Sequence, residues 1–196
     1  MKARYAVLVV MLAAFAAVLS QKAIAGKGGI PFPAGQFSTT LQGSFAICLN
    51  PTTFAGEACS TSGVLVFPQS TLQNGVTTFD ASGNSCATST AVNSDLPVDA
   101  FLQPVTNQNS VSKALNYDSM TGTGDASFTS YTGGACHGAT FDSTGAIEVS
   151  SGTVHFVVTD DGKRFDFLIT KLTNSTGSIG SFSLSGTDLR QTRPES

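Results

Sequence analysis

The stretch IGSFSLSGTDLR (residues 179–190) decides the fold, together with its counterpart FSTTLQGSFAICL (residues 37–49) early in the chain. Both alternate apolar with small polar residues, the period of an extended strand with one buried face. In the later stretch Phe182, Leu184 and Gly186 share a face against Ser181, Ser183 and Ser185. In the earlier one Leu41, Gly43, Phe45, Ile47 and Leu49 oppose Gln42, Ser44, Ala46 and Cys48. Each contains a Gly-Ser-Phe unit, GSFAI at 43–47 and GSFSL at 180–184. A glycine beside a phenylalanine marks a strand that bends tightly, and the shared unit predicts that the two strands pair and close a barrel. Closure removes both sheet edges, an advantage for an exported all-β protein. Alternation alone leaves a two-sheet sandwich as the alternative.

The rest of the chain agrees with an all-β reading. It carries 20 Gly, 14 Phe and no Trp, and shows almost no run of helix-forming residues at helical spacing. Further alternating runs occupy 62–68, 75–81, 85–93, 111–119, 124–131, 137–143, 152–160 and 164–172, so about ten strands are expected, eight to ten of them in an antiparallel meander. The links between them, DASGN, MTGTG, YTGG, DSTG, DDGK and NSTGS, are turn sequences too short to house crossover helices. Only residues 93–110, with Pro97 and Pro104, form a long irregular segment, which predicts a single helical turn or a flap.

At the N-terminus a basic MKARY precedes the apolar AVLVVMLAAFAAVL and a small-x-small site ending at Ala25. This is the pattern of a secretory signal peptide, 1–25, and the run is shorter than the ~20 residues that span a bilayer. The expectation is a single exported domain over 26–196, secreted or periplasmic and without a membrane span, with 26–35 and 191–196 as flexible ends. Removing Lys2, Arg4 and Lys22 from the ten basic residues leaves 7 against 13 acidic ones, a net charge of −6. That sign argues against nucleic acid and against anionic lipid surfaces as partners.

Cys48, Cys59, Cys86 and Cys136 all fall in the exported part, where disulfides persist. CLNPTTFAGEAC reads as a loop whose ends meet if its flanking strands pair, which predicts Cys48 with Cys59 and, by elimination, Cys86 with Cys136. A metal site lacks the usual spacing: there is no C-x-x-C and only two histidines. No cofactor is implied.

The stretch 111–191 carries LNYDSMTGTGDASFTSY, the hairpin GTVHFVVTDDGKRFDFLITK and a closing GSIGSFSLSGTDLRQ. In these turn and strand patterns it resembles the C-terminal part of small exported bacterial β-barrel proteins of calycin-like or allene-oxide-cyclase-barrel-like shape, most of which have no assigned activity. The resemblance implies a barrel whose interior could hold a small apolar ligand. The lipocalin G-x-W motif is missing, since tryptophan is absent.

Recognisable enzyme chemistry is also missing. There is no G-x-S-x-G elbow and no nucleotide loop with its lysine. The adjacent Asp160 and Asp161 point in different directions on an extended chain and cannot flank one bond. The weak catalytic candidates are His155, Asp166 and Glu148. If Asp161 and Gly162 form the turn of the DDGK hairpin, Thr159 pairs with Arg164, Val157 with Asp166 and His155 with Leu168. Asp166 is then diagonal to His155 on the same face, as an acid/base couple or as a polar pair on the outer surface. The candidates for lining a ligand cavity are Phe45, Phe79, Phe128, Phe141, Phe156, Phe165, Phe167 and Phe182, which could equally fill a packed core. The expected function is binding of a small apolar or amphipathic molecule in the barrel. The alternatives are a structural or surface-interaction protein of an envelope or matrix, and a cyclase or isomerase that shelters its substrate in a dry barrel.

Overall fold

The computed structural model describes residues 29–95 and 106–191; the expected signal peptide lies outside the described residues, and of the irregular segment expected at 93–110, residues 93–95 and 106–110 are strand while 96–105 lie outside them. Ten strands follow in order: β1 (Gly35–Leu49), β2 (Leu65–Phe79), β3 (Asn84–Asp95), β4 (Thr106–Asp118), β5 (Thr123–Thr132), β6 (Ala135–His137), β7 (Thr140–Asp142), β8 (Ile147–Thr159), β9 (Arg164–Thr173) and β10 (Ile179–Arg190). Eight of them close into an antiparallel barrel in the order β1-β10-β9-β8-β5-β4-β3-β2, while β6 and β7 form a separate two-stranded hairpin. The closing seam is the one the repeated Gly-Ser-Phe unit predicts: β1 pairs with β10, with Phe45 opposite Phe182 and Gly43 opposite Leu184.

Two expected strands are in fact one. The runs at 62–68 and 75–81 join in β2, which continues through Pro68. Pro68 lies one residue beyond the last described β3 pair, Gln69 with Asp95, and on its other side is opposite Ala46 of β1. Conversely, the expected strand at 137–143 breaks into the β6–β7 hairpin, turning at Gly138 with φ +63°.

The tight turns at 80–83, 119–122 and 160–162 gather at the end where β1 begins. Aspartates build the first two. Asp80 accepts from the backbone N–H groups of Ser82 and Asn84, and Asp118 from that of Met120. The Asn84 side-chain amide, donating to Asp80 at 2.8 Å, and these backbone bonds hold the Asp80 carboxyl below the usual carboxylate range, and the Met120 bond foremost does the same for Asp118. In the third turn Asp161 and Gly162 have φ of 54° and 82°, the positive values a tight two-residue hairpin needs, and the register runs outward as expected, with His155 opposite Leu168.

Cys48 is bonded to Cys59, closing the loop after β1, and Cys86 on β3 to Cys136 on β6, tying the hairpin to the outside of the barrel. Both pairings are those predicted. Phe141 on β7 stacks on Tyr131 with ring centroids 4.8 Å apart.

At the turn end the core is aromatic. Phe37, Ala126, Phe156, Val158 and Phe165 are buried together. Residues 29–34 lie across this end: the Ile30 N–H donates to the Ser119 carbonyl at 2.7 Å, and the Tyr117 hydroxyl donates to the Ile30 carbonyl at 2.9 Å. Phe32 thereby enters the barrel mouth, edge-on to Tyr117, Phe165, Phe156 and Phe79 at centroid distances of 5.2 to 6.2 Å.

Candidate functional site

Alternation along the strands sends one residue in two into the barrel, and the two halves of the circumference contribute different chemistry. From β2, β8 and β9 come Phe79, Val154, Phe156, Phe165, Phe167 and Ile169; from β3, β4 and β5 come mainly serine and alanine, including Ser85, Ala87, Ser110, Ser112, Ala126 and Ser130. Small side chains on one wall cannot reach the rings on the other, and a cavity of about 180 Å³ remains between them. The serines satisfy one another across the strands, Ser85 with Ser112 and Ser110 with Ser130, each at 2.7 Å between hydroxyl oxygens. Their wall is therefore polar but largely self-contained.

Glycines position the rings. Gly124 faces Phe156, Gly152 faces Phe128 and Gly186 faces Phe167 across adjacent strands. A Cβ at Gly152 would stand 2.9 Å from the Phe128 ring, and one at Gly124 or Gly186 would meet its paired ring closer still. Each ring occupies the space its glycine leaves empty.

Asp188 is the one charged side chain lining the cavity among the described residues. It lies on β10, between Thr39 of β1 and Phe165 of β9, and is only 5% exposed. Thr39 faces it across the β1–β10 pairing, and the Thr39 and Thr77 hydroxyls hydrogen-bond each other. Among the described residues Oδ1 of Asp188 has no partner. Burial pushes the carboxyl up to about 7, against the pull of the neighbouring Thr39 hydroxyl.

Of the eight candidate phenylalanines, Phe79, Phe128, Phe156, Phe165 and Phe167 line the cavity. Phe45 and Phe182 pair with each other on the closing seam and are not part of its lining. Phe141 lies elsewhere, against Tyr131 in the tethered hairpin, because β7 is not a strand of the barrel. Phe32 lines the cavity although it precedes every strand pattern.

The three weak catalytic candidates face outward. His155 is bonded through Nδ1 to Asp125 Oδ1 at 2.9 Å, both side chains about half exposed, so its partner is the aspartate of β5 rather than Asp166. The bonds from His155 and Asn116 keep Asp125 below the usual carboxylate range. Asp166 takes the Arg164 guanidinium in a fork, with the closest approach 2.8 Å, and the Thr187 hydroxyl at 2.8 Å. These bonds lower its carboxyl as well, the Arg164 bond most. His155 and Asp166 line a shallow outer groove of about 420 Å³ with Leu168 and Thr187. Glu148 is exposed on β8 opposite Tyr131. Among the described residues no three His, Cys, Asp or Glu side chains gather as a metal site.

No protein-family model, curated protein or solved structure matches this chain.

Proposed function

We propose that this is an exported binding protein that holds a small amphipathic molecule inside a calycin-like barrel. The cavity inside the barrel, apolar and aromatic on one side and hydroxyl-lined on the other, carries the reading. Its volume of about 180 Å³ lies below the ~300 Å³ at which drug-sized pockets begin, and above an engineered 150 Å³ cavity that accepts benzene. The guest is therefore of single-ring size. Two disulfides fit an oxidising compartment, and with the signal-like N-terminus they support secretion or a periplasmic location. Native mass spectrometry of protein purified from its host should find a small molecule retained at a 1:1 ratio. Protein that is always empty, and that binds no single-ring probe in calorimetry, would sink the reading.

A second reading, a barrel isomerase or cyclase, is favoured by Asp188 alone. A buried carboxyl that titrates near neutrality suits general acid–base work. The structural alternative has less support, since closure pairs every barrel strand on both sides and, among the described residues, leaves free edges only on the three-residue strands of the β6–β7 hairpin.

A further inference from the structure

We propose that the guest is a small organic cation, an ammonium on a single apolar ring, held by the Asp188 carboxylate with its body against the phenylalanine wall. This rests on the reading of the barrel as a binder and names what it binds.

The argument starts from what the interior leaves unmet. Four of its serines pair with one another, Ser85 with Ser112 and Ser110 with Ser130, and Thr39 pairs with Thr77. Of the two buried side-chain oxygens without a partner among the described residues, Thr71 Oγ1 is a neutral hydroxyl outside the cavity lining, and Asp188 Oδ1 belongs to a group that lines it. A buried acceptor left unmet keeps its full desolvation penalty, and a charged one the more so. No Lys, Arg or His among the described residues lines the cavity to compensate it.

An ionised carboxylate is acceptor-only. A neutral alcohol would supply the missing hydrogen bond but leave the charge unpaired; an ammonium supplies both. The wall supplies the apolar half of the site. Phe165 sits directly across from Asp188 and is stacked on Phe79 at 4.6 Å, with Phe156 5.7 Å from Phe165, a surface for the guest's ring.

Uptake of an ammonium is then coupled to loss of the Asp188 proton. The groups facing Asp188 are Thr39 from β1, with Thr77 of β2 behind it, and Phe165 from β9. On β10 itself Gly186 and Arg190 flank it, the latter exposed at the rim with its guanidinium donating to the Ala34 carbonyl at 3.1 Å. No histidine or second carboxylate faces it among them, so the coupling belongs to Asp188. Affinity for an ammonium should rise as the pH passes upward through about 7, while affinity for a neutral isostere should not.

The experiment is calorimetric titration of the purified protein with benzylamine and with benzyl alcohol, at pH 8 and pH 5.5, alongside Asp188→Asn. At pH 8 benzylamine should bind at least tenfold more tightly than benzyl alcohol. That preference should collapse at pH 5.5 and in Asp188→Asn. Equal binding of both probes at pH 8, or a preference that survives in Asp188→Asn, overturns the cation inference and leaves the binding barrel standing. Failure of both probes to bind overturns the barrel reading and the inference with it. If Asp188→Asn does not fold, as judged by circular dichroism, the two-pH comparison on the wild type decides by itself.

Discussion

Asp188 is costly to the fold in the absence of a partner, and the cost has a defined pH window. Its carboxyl is raised from about 4 in the unfolded chain to about 7. Between those values the native state holds a proton that the unfolded state has released, so this group's contribution to stability falls as pH rises across the window and stays low above it. Asp188→Asn should therefore stabilise the protein at pH 8, on the order of a few kcal/mol, and the gain should fade toward pH 4. Urea denaturation of both proteins across that range measures it; a variant no more stable than wild type at pH 8 would contradict the buried-carboxyl assignment. The inward position of Asp188 follows from the alternation of β10, while its neighbours in sequence point the other way. Phe182, Leu184 and Gly186 define the inward face of the last strand, and one more step of two reaches Asp188. An acidic residue beside Leu189 and Arg190 reads instead as the frayed, solvated end of a strand. His155 and Asp166 drew attention because their charges cluster around a turn, yet turns are where charges reach water most easily.

At the scale of strands, the sequence specified the seam and the hairpin register because both depend on local pattern, the Gly-Ser-Phe units and the DDGK turn. At β2 local pattern misleads: Pro68 imitates a strand end, yet the strand pairs with β1 on both sides of it. Phe32 was beyond reach for a different reason. Its segment has no alternation to read, and only the closed barrel creates the mouth that it fills. The Gly–Phe pairs make a further prediction. In Gly186→Ala the new methyl meets the Phe167 ring, which can turn aside, and the Thr40 carbonyl of the neighbouring strand, which cannot. Overpacking of this kind should cost about 1–3 kcal/mol, and the displaced ring should enter the cavity and weaken benzyl alcohol binding several-fold. Thermal melts and calorimetry on the one variant report both effects; unchanged stability and binding would mean that the ring does not depend on its glycine.

At the scale of the whole molecule, closure joins residues as distant in sequence as Phe37 and Arg190. Such non-local pairing favours slow folding, in milliseconds to seconds. The Cys86–Cys136 bond ties β3 to the hairpin between β5 and β8 and shortens part of that search. Replacing both cysteines with alanine should cost roughly 3 to 4 kcal/mol, read as a lower urea midpoint, whereas an unchanged midpoint would show that the tethered hairpin contributes nothing to the barrel. The same seam determines how the molecule responds to force. Because β1 and β10 are antiparallel, the chain enters and leaves at one end of the barrel, where the Gln191 N–H donates to the Gln36 carbonyl at 2.9 Å. Tension between the flanking segments therefore loads the seam's hydrogen bonds singly, like the teeth of a zip, instead of together in shear. Such a barrel opens under a gentle pull, and is better suited to sheltering a guest than to serving as a tether between two bodies.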